Sequence, residues 1–205
     1  MKIGPKYKIC RRLGDRVFSK CQTTKFTVSG LDAKNKGGKS KRRRGGVSEY
    51  GSQLLEKQKA RYTYGISEKQ FANYVKVSRE KTGIDPIVLL NQLLESRLDN
   101  VVYRLGLVGS RRFARQIVSH GHVMVNNRRV TIPSFQVKVG DKISVRPQSI
   151  NKGIFTDLDE RQKNYTIPEW LSFDPSQKIG QVKALPIATE TNLNFSSILE
   201  FYSRV

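Results

Sequence analysis

The most informative side chains for chemistry are three arginines in the first turns of one predicted helix: Arg111, Arg112 and Arg115. Ser110 precedes them and is a good N-cap residue, so the helix is expected to begin there. Unpaired backbone N–H groups and the helix dipole favour anions at this end, and guanidinium groups bind phosphate oxygens through paired hydrogen bonds. Arg128 and Arg129, in a predicted hairpin turn, can form the other wall of a phosphate-binding groove.

The alternative for such a helix is an ordinary solvated face with ion pairs. Residues 97–150 hold ten Lys and Arg but only two acidic residues, Asp99 and Asp141, so pairing within this segment cannot absorb the charge. The whole chain of 205 residues has 38 Lys and Arg against 17 Asp and Glu, a net charge of +21. Such a charge attracts polyanions, and nucleic acid is the usual one. Residues 1–50 form a second basic block, and the tail from 151 is slightly acidic.

RNA is favoured over DNA by the shape of the predicted element. A short basic helix with a hairpin suits an A-form or irregular backbone, and the chain lacks a zipper repeat or finger-type zinc spacing. No apolar run approaches the roughly 20 residues that span a bilayer, and residues 1–14 lack the apolar core of a signal peptide. We therefore expect a soluble protein that is not exported.

The elements around the arginines follow from periodicity and caps. Leu98, Val101, Val102 and Leu105 form one apolar helical stripe that ends at Gly106. In the arginine helix the predicted buried residues are Phe113, Ala114, Ile117 and Val118. After Gly121 the sequence VMVNNRRVTI alternates through an Asn126-Asn127 turn, which is typical of a hairpin. Further short strands are expected in FQVKVGDKISVR.

Three more helices are predicted between residues 48 and 96. Ser48 caps the first, with Tyr50, Leu54 and Leu55 near one face, and Gly65 ends it. Ser67 begins the second, with Phe71, Tyr74, Val75 and Ser78 along one side, and Asp85-Pro86 begins the third. Lys57, Lys59 and Arg61 give the first helix a basic face, which is either simply solvated or bound to RNA.

The fold class expected is α+β. A basic extended arm (1–47) precedes a mainly helical RNA-binding domain made of residues 48–96 together with 151–205. A small RNA-binding domain of two helices packed on a short antiparallel β-sheet (97–150) is inserted into it. The arm is too polar to bury a core alone, and the tail, with the candidate helix SSILEFY, is expected to pack on the helical bundle.

Metal, nucleotide and catalytic sites are not expected. GGKS at Gly37 lacks the first glycine of a phosphate-binding loop, because residue 33 is alanine. His120 and His122 have no nearby carboxylate or cysteine, and Cys10 with Cys21 would need two more zinc ligands, so no cofactor is predicted. Arg97-Leu98-Asp99 resembles the core around the catalytic aspartate of pseudouridine synthases. The chain outside 97–150 is too short and too basic for a separate catalytic domain, so no enzyme is expected.

The sequence resembles a known family over most of its length. ESRLDNVVYRLGLVGSRRFARQIVSHGHVMVNNRRVTIPSFQVKVGDKISV is similar to the RNA-binding domain named after small-subunit ribosomal protein four, which many proteins share. YGSQLLEKQKARYTYGISEKQF, IPSF, IPEWL and the final FYSR resemble the bacterial and organellar family of that ribosomal protein. The arm departs from one branch in which four cysteines bind zinc, and it has GGKSKRRRGG where relatives often have a proline–glycine–glutamine–histidine–glycine turn.

The resemblance implies a structural constituent of the small ribosomal subunit, located in the cytoplasm or in an organelle. It implies a primary rRNA-binding protein that nucleates assembly of the subunit body, contacts ribosomal proteins five and three, lies near mRNA at its entry channel and influences translational accuracy. The contacts expected in the arm are Lys2, Lys6, Lys8, Arg11, Arg12, Lys41, Arg42, Arg43 and Arg44. Those expected in the first helix are Tyr50, Gln53, Lys57, Lys59, Arg61 and Tyr64. Those expected in 97–150 are Arg97, Arg104, Ser110, Arg111, Arg112, Arg115, Gln116, His120, His122, Asn126, Arg128 and Arg129.

Two other functions compete with this interpretation. A ribosome-associated RNA-binding factor, for example one that handles stalled or recycling subunits, would need the same basic surface. An RNA-modifying enzyme would use Asp99 as its catalytic carboxylate.

Overall fold

A computed structural model describes residues 3–23, 26, 48–150, 153, 155, 158, 162, 165–187 and 192–204. The predicted contacts Lys2 and Lys41 to Arg44 lie outside these residues. The chain divides into two compact units, Met1–Glu80 with Thr191–Val205, and Lys81–Glu190. Helices and one antiparallel sheet make up the described part, so the predicted α+β class is confirmed.

The first unit is helical. It contains α1 (Lys6–Leu13), a 3₁₀ turn (Ser19–Cys21), α2 (Glu49–Tyr64), α3 (Glu68–Glu80) and, after the second unit in the sequence, α8 (Phe195–Ser203). The predicted caps are confirmed: the Ser48 Oγ accepts a hydrogen bond from the Gly51 amide at 3.2 Å, and Gly65 ends α2 at φ 64°. Helix α8 packs on α2 and α3, as expected for the end of the tail.

The buried face of α2 differs from the predicted one. Tyr50 is half exposed, and the residues that α2 buries are Gln53, Lys57, Ala60 and Tyr64. These positions follow a helical spacing, but two of them are polar, so apolar periodicity could not reveal the face. The Gln53 Nε2 and Lys57 Nζ groups donate to acidic residues of α2 itself, α3 and α8, whereas the buried Gln53 Oε1 has no hydrogen-bond partner among the described residues.

The second unit places helices on a sheet. Its helices are α4 (Pro86–Glu95), α5 (Leu98–Arg104), α6 (Arg111–Ser119) and the single turn α7 (Pro147–Ile150). The predicted stripe of Leu98, Val101, Val102 and Leu105 is fully buried, and Ala114, Ile117 and Val118 join the same core. Phe113 is only partly buried against it. Within the described ranges, no helix is long and apolar enough to cross a membrane.

The sheet has five strands in the described residues, all antiparallel, in the order β2-β1-β3-β5-β4. They are β1 (Val123–Val125), β2 (Arg128–Arg129), β3 (Lys142–Val145), β4 (Leu171–Asp174) and β5 (Ile179–Val182). Asn126 and Asn127 have φ values of 48° and 63°, which confirms the predicted asparagine turn. Gly180 of β5 lies so close to α5 that a Cβ there would come within 2.4 Å of Leu105 Cδ1.

The bounds of the units differ from the predicted domain bounds at residues 97 and 150. Helix α4 belongs to the second unit, as do β4 and β5, although the tail was expected to pack on the helical bundle. The reason is the free edge of β3, which pairs with β5 and so draws residues 171–182 into the sheet.

Candidate nucleic-acid interface

Helix α6 presents the predicted basic face at its N-terminal end. The Ser110 Oγ caps the helix by accepting a hydrogen bond from the Phe113 amide at 3.3 Å. Arg112 and Gln116 are exposed, and the Arg115 side chain keeps 38% of its exposure. Since helix dipole and guanidinium groups point to the same end, this face is suited to phosphate oxygens.

Arg111 is held by side chains of α4 and α5. Its Nε donates a hydrogen bond to Asn100 Oδ1 at 2.7 Å, and its guanidinium carbon lies 4.5 Å from the centre of the Tyr103 ring. Its NH2 atom lies 4.0 Å from Glu95 Oε1. Arg111 is therefore packed on an aromatic ring and fixed by a side-chain hydrogen bond, with 19% of its side chain exposed.

Glu95 is the centre of this network. Arg104 donates to both carboxylate oxygens, at 2.9 and 3.0 Å, and Asn100 Nδ2 donates to Oε2 at 2.8 Å. The glutamate is 2% exposed. Arg104 was predicted to contact RNA, but its guanidinium makes a bidentate pair with this buried carboxylate. Arg104 therefore supports the surface more than it forms part of it.

Arg97 and Asp99 form a second internal pair. Arg97 is fully buried and donates to the two oxygens of Asp99 at 3.1 and 2.9 Å. Arg115 NH1 lies 3.9 Å from the same carboxylate. Arg97 is therefore inside the protein and is not part of the surface that we propose for RNA, and Asp99 is a buried partner of arginines.

The hairpin supplies the other exposed arginines. Arg128 and Arg129 of β2 are both exposed, and the Arg129 guanidinium lies over Gly121 so closely that a Cβ there would come within 2.1 Å of its Nε. Gly121 follows the end of α6, so this contact joins the hairpin to the helix. We call Arg111, Arg112, Arg115, Gln116, His120, Arg128 and Arg129 the α6–hairpin surface.

Asn126 and His122 have internal partners. Asn126 Nδ2 donates to Asp141 Oδ1 at 2.7 Å, and its Oδ1 accepts from the Lys142 amide at 2.9 Å. His122 Nδ1 lies 2.9 Å from Ser149 Oγ. His120 is exposed, with its ring centre 6.1 Å from that of His122. Among the described residues no group of three or more His, Cys, Asp or Glu side chains is arranged to hold a metal ion.

In the first unit, the predicted basic solvent face of α2 is not formed. Lys57 Nζ and Arg61 NH1 each donate to an oxygen of Glu68 at 2.7 Å, and the Tyr202 hydroxyl donates to the same carboxylate at 2.7 Å. Burial raises the pKa of Glu68, but these hydrogen bonds outweigh it and leave the pKa below its ordinary value. Lys57 also lies 4.5 Å from the centre of the Phe201 ring. These cations therefore bind α3 and α8 to α2.

The remaining predicted contacts of α2 are divided. Lys59 Nζ lies 2.9 Å from Asp15 Oδ2 and donates to the Asn192 carbonyl at 3.0 Å. Gln53 and Tyr64 are buried. Tyr50 is half exposed, with its ring centre 5.4 Å from that of Phe201. Tyr50 is thus the predicted contact on α2 with the largest exposure.

Helix α1 carries the basic residues of the arm that the structure describes. Lys8, Arg11 and Arg12 are exposed, and Lys6 lies 5.9 Å from the centre of the Phe18 ring. Beneath them Cys10 and Cys21, both free thiols, are buried with Phe26. Burial and a hydrogen bond with Cys10 raise the pKa of the Cys21 thiol to about 11. We call Lys6, Lys8, Arg11 and Arg12 the α1 surface.

Two family models together cover most of the chain. One, described as the ribosomal protein S4/S9 N-terminal domain, matches residues 1–95, and the S4 domain matches residues 96–143. A protein of Natranaerobius thermophilus named small ribosomal subunit protein uS4 is 43% identical over 206 residues, covering 98% of each chain. The chain belongs to the uS4 family.

Other relatives with the same name agree across the same length. The uS4 protein of Syntrophomonas wolfei is 46% identical over 200 residues, covering 95% of each chain, and that of Christiangramia forsetii is 43% identical over 203 residues, covering 98% of each. Members of the uS4 family are structural proteins of the small ribosomal subunit and not enzymes, so the expectation that the chain is not an enzyme is confirmed. The resemblance deduced from the sequence is confirmed as well.

Sequence reasoning missed the supporting residues of the α6–hairpin surface. Glu95 precedes residue 97, so the charge balance of residues 97–150 does not include its carboxylate. Asn100 and Tyr103 lie on α5 and carry no charge pattern. The spacing of Glu95, Asn100 and Arg104 across the start of α5 was the available signal, but reading it required knowing that the chain turns at Ser96 and Arg97.

Proposed function

We propose that the chain binds small-subunit rRNA through the α6–hairpin surface of its second unit and the α1 surface of its first. The observation that carries the proposal is the concentration of arginines at the capped end of α6 and on the joined hairpin. Arg112, Arg128 and Arg129 are exposed, and Arg111 and Arg115 are partly exposed. The described carboxylates within reach of these arginines, Glu95 and Asp99, are buried, so the outward field of the surface is positive. The predicted contacts inside the arm, Lys2 and Lys41 to Arg44, remain part of the proposal.

The proposal is best tested on Arg112 and Arg128. Both are exposed, and neither takes part in the Glu95 and Asp99 networks, so their removal leaves those buried carboxylates paired. The variant Arg112→Ala/Arg128→Ala should bind small-subunit rRNA more weakly. The slope of log affinity against log salt should fall by about 0.7–0.9 for each phosphate that the variant no longer binds.

A matched control removes two positive charges elsewhere. Lys76→Ala/Lys81→Ala deletes two exposed lysines at the end of α3 and after it. If the loss of affinity were as large in this control, net charge and not the α6–hairpin surface would set binding. Equal affinity and slope for the arginine variant and the unmodified protein would refute the proposal.

Family membership supports finer roles, which we propose on that basis. The protein nucleates assembly of the subunit body as a primary rRNA-binding protein, contacts ribosomal proteins five and three, lies near mRNA at its entry channel and influences accuracy. Its location is the small subunit, in the cytoplasm or an organelle. In a stepwise reconstitution it should bind naked small-subunit rRNA first. Binding only after other proteins had been added would contradict the nucleating role.

A loosely associated RNA-binding factor is the second candidate. It is distinguished by washing purified small subunits in high salt. A constituent held by many phosphate contacts and by its protein neighbours stays on the subunit, whereas a factor is released.

A further inference from the structure

The α6–hairpin surface is built over buried negative charge. Glu95 and Asp99 are nearly fully buried, and each lies beside an arginine of the surface, Arg111 or Arg115. By Coulomb's law alone a carboxylate so placed weakens the attraction of the surface for phosphate. Its presence therefore calls for a role that outweighs this cost.

We infer that Glu95, Asn100 and Tyr103 are positioning residues of the RNA-binding surface, which hold the Arg111 guanidinium in place before RNA arrives. The inference rests on the proposed function of the α6–hairpin surface. It concerns how that surface binds and names residues that do not themselves need to touch RNA.

The contacts define a chain of support that runs from the interior to the surface. Arg104 grips Glu95 with two hydrogen bonds, and Glu95 in turn accepts a hydrogen bond from the Asn100 amide at 2.8 Å. That bond orients the Asn100 side chain, so that its Oδ1 faces Arg111 Nε at 2.7 Å. The Asn100 Nδ2 also donates to the Glu95 backbone carbonyl at 2.9 Å, which leaves the amide a single orientation.

Tyr103 provides the other constraint on Arg111. Its ring lies beneath the guanidinium, with 4.5 Å between the guanidinium carbon and the ring centre. A guanidinium stacked on a ring and bonded through Nε is restricted in both tilt and rotation. The backbone of Tyr103 is held as well, because its carbonyl oxygen accepts a hydrogen bond from the Tyr165 hydroxyl at 3.4 Å.

The benefit of this arrangement is entropic. A free arginine loses rotamer freedom when it binds, and immobilising one such side chain weakens association by about 2- to 13-fold. A guanidinium that is already fixed avoids that loss. Asp99 accepts a hydrogen bond from Arg97 at 2.9 Å and lies 3.9 Å from Arg115, so it offers the neighbouring arginine a support of the same kind.

Electrostatics and positioning predict opposite changes in RNA affinity when Glu95 loses its charge. Glu95→Gln removes a negative charge beside the surface, so simple electrostatics predicts tighter binding of small-subunit rRNA by the full-length protein. Positioning predicts weaker binding, by about 2- to 13-fold for the release of one arginine. Glu169→Gln, at an exposed glutamate of the same unit, makes the identical chemical change away from the surface and should bind as the unmodified protein does.

A second pair of variants leaves all charges unchanged and covers the case that Glu95→Gln does not fold. Tyr103→Leu removes the ring under Arg111 and should weaken binding, whereas Tyr103→Phe keeps the ring and should restore it. In each variant the ¹⁵N relaxation of the Arg111 Nε–H group reports its motion directly, with a high order parameter expected for the unmodified protein and for Tyr103→Phe. A merely structural role would not mobilise this one group in a folded protein.

The outcomes separate the inference from the proposed function. Weaker binding with a mobile Arg111 in Glu95→Gln and Tyr103→Leu supports positioning. Unchanged or tighter binding overturns it, as does weaker binding with Arg111 still rigid. If Arg112→Ala/Arg128→Ala also binds normally, the proposed function has failed; if that variant is weakened, the failure belongs to the positioning role alone.

Discussion

Replacing Gly180 by alanine should destabilise the second unit by about 1–3 kcal/mol, because the new methyl group has no room beside α5. A Cβ at this position would lie 2.4 and 2.7 Å from the two terminal carbons of Leu105. Leu105 is fully buried in the core between α5 and the sheet. The backbone at Gly180 is not left-handed, so the cost comes from packing and not from strain.

Shortening Leu105 tests whether the cost at Gly180 comes from this contact. Leu105→Ala alone should cost about 2–5 kcal/mol through reduced burial and the cavity that remains. In the double variant the alanine methyl at 180 enters the space that the leucine vacated. The two costs should then fail to add, with the double variant more stable than their sum predicts by about 0.5–3 kcal/mol.

The assay is denaturant unfolding followed by tryptophan fluorescence. The chain has one tryptophan, Trp170, and it is buried in the same core as Leu105, so its signal reports the second unit. Gly109→Ala is the control, because a Cβ there meets no heavy atom within 4 Å, and it should not be destabilising. Additive costs in the double variant would refute the close packing of Leu105 on Gly180 of β5.

Two further predictions concern the first unit. The pKa of Glu68 lies below its ordinary value in the folded protein. Its ion pairs therefore stabilise the fold at pH values above the pKa that Glu68 has in the unfolded chain. That contribution is lost as the pH falls through the lower pKa that Glu68 has in the folded protein. The free energy of unfolding should therefore drop below about pH 5 less steeply in Glu68→Gln than in the unmodified protein, measured by circular dichroism in urea; parallel curves would contradict this. Cys21 is buried and its pKa is raised to about 11. Its thiol should therefore react with an aromatic disulfide reagent at pH 8 only as fast as the surrounding structure opens locally. A rate equal to that of an exposed thiol would show that the cluster of Cys10, Cys21 and Phe26 is open.

Much of the second unit could be predicted from the sequence because its signals are local. The apolar stripe of α5, the Ser110 cap and the asparagine turn each occupy a few consecutive residues, and each is found in the structure. The arginines of α6 could be assigned to a surface for the same reason, since they lie on the face of the helix opposite to Ala114 and Ile117.

The features that were not predicted depend on residues far apart in the sequence. The buried face of α2 includes Lys57, whose carboxylate partner Glu68 is also bonded to Tyr202, 134 residues further on. No local pattern indicates that such a lysine is buried. Likewise, β4 and β5 join the sheet only because β3 has an unpaired edge, and Glu95 supports Arg111 only because the chain turns between α4 and α5.

The most direct test of the central claim is photo-cross-linking in assembled small subunits. Gln116 is exposed on the α6–hairpin surface, and Gln177 is exposed in the turn between β4 and β5 of the same unit. A photoreactive amino acid at position 116 should cross-link to small-subunit rRNA in much higher yield than one at position 177. RNA cross-links from position 177 with none from position 116 would contradict the account.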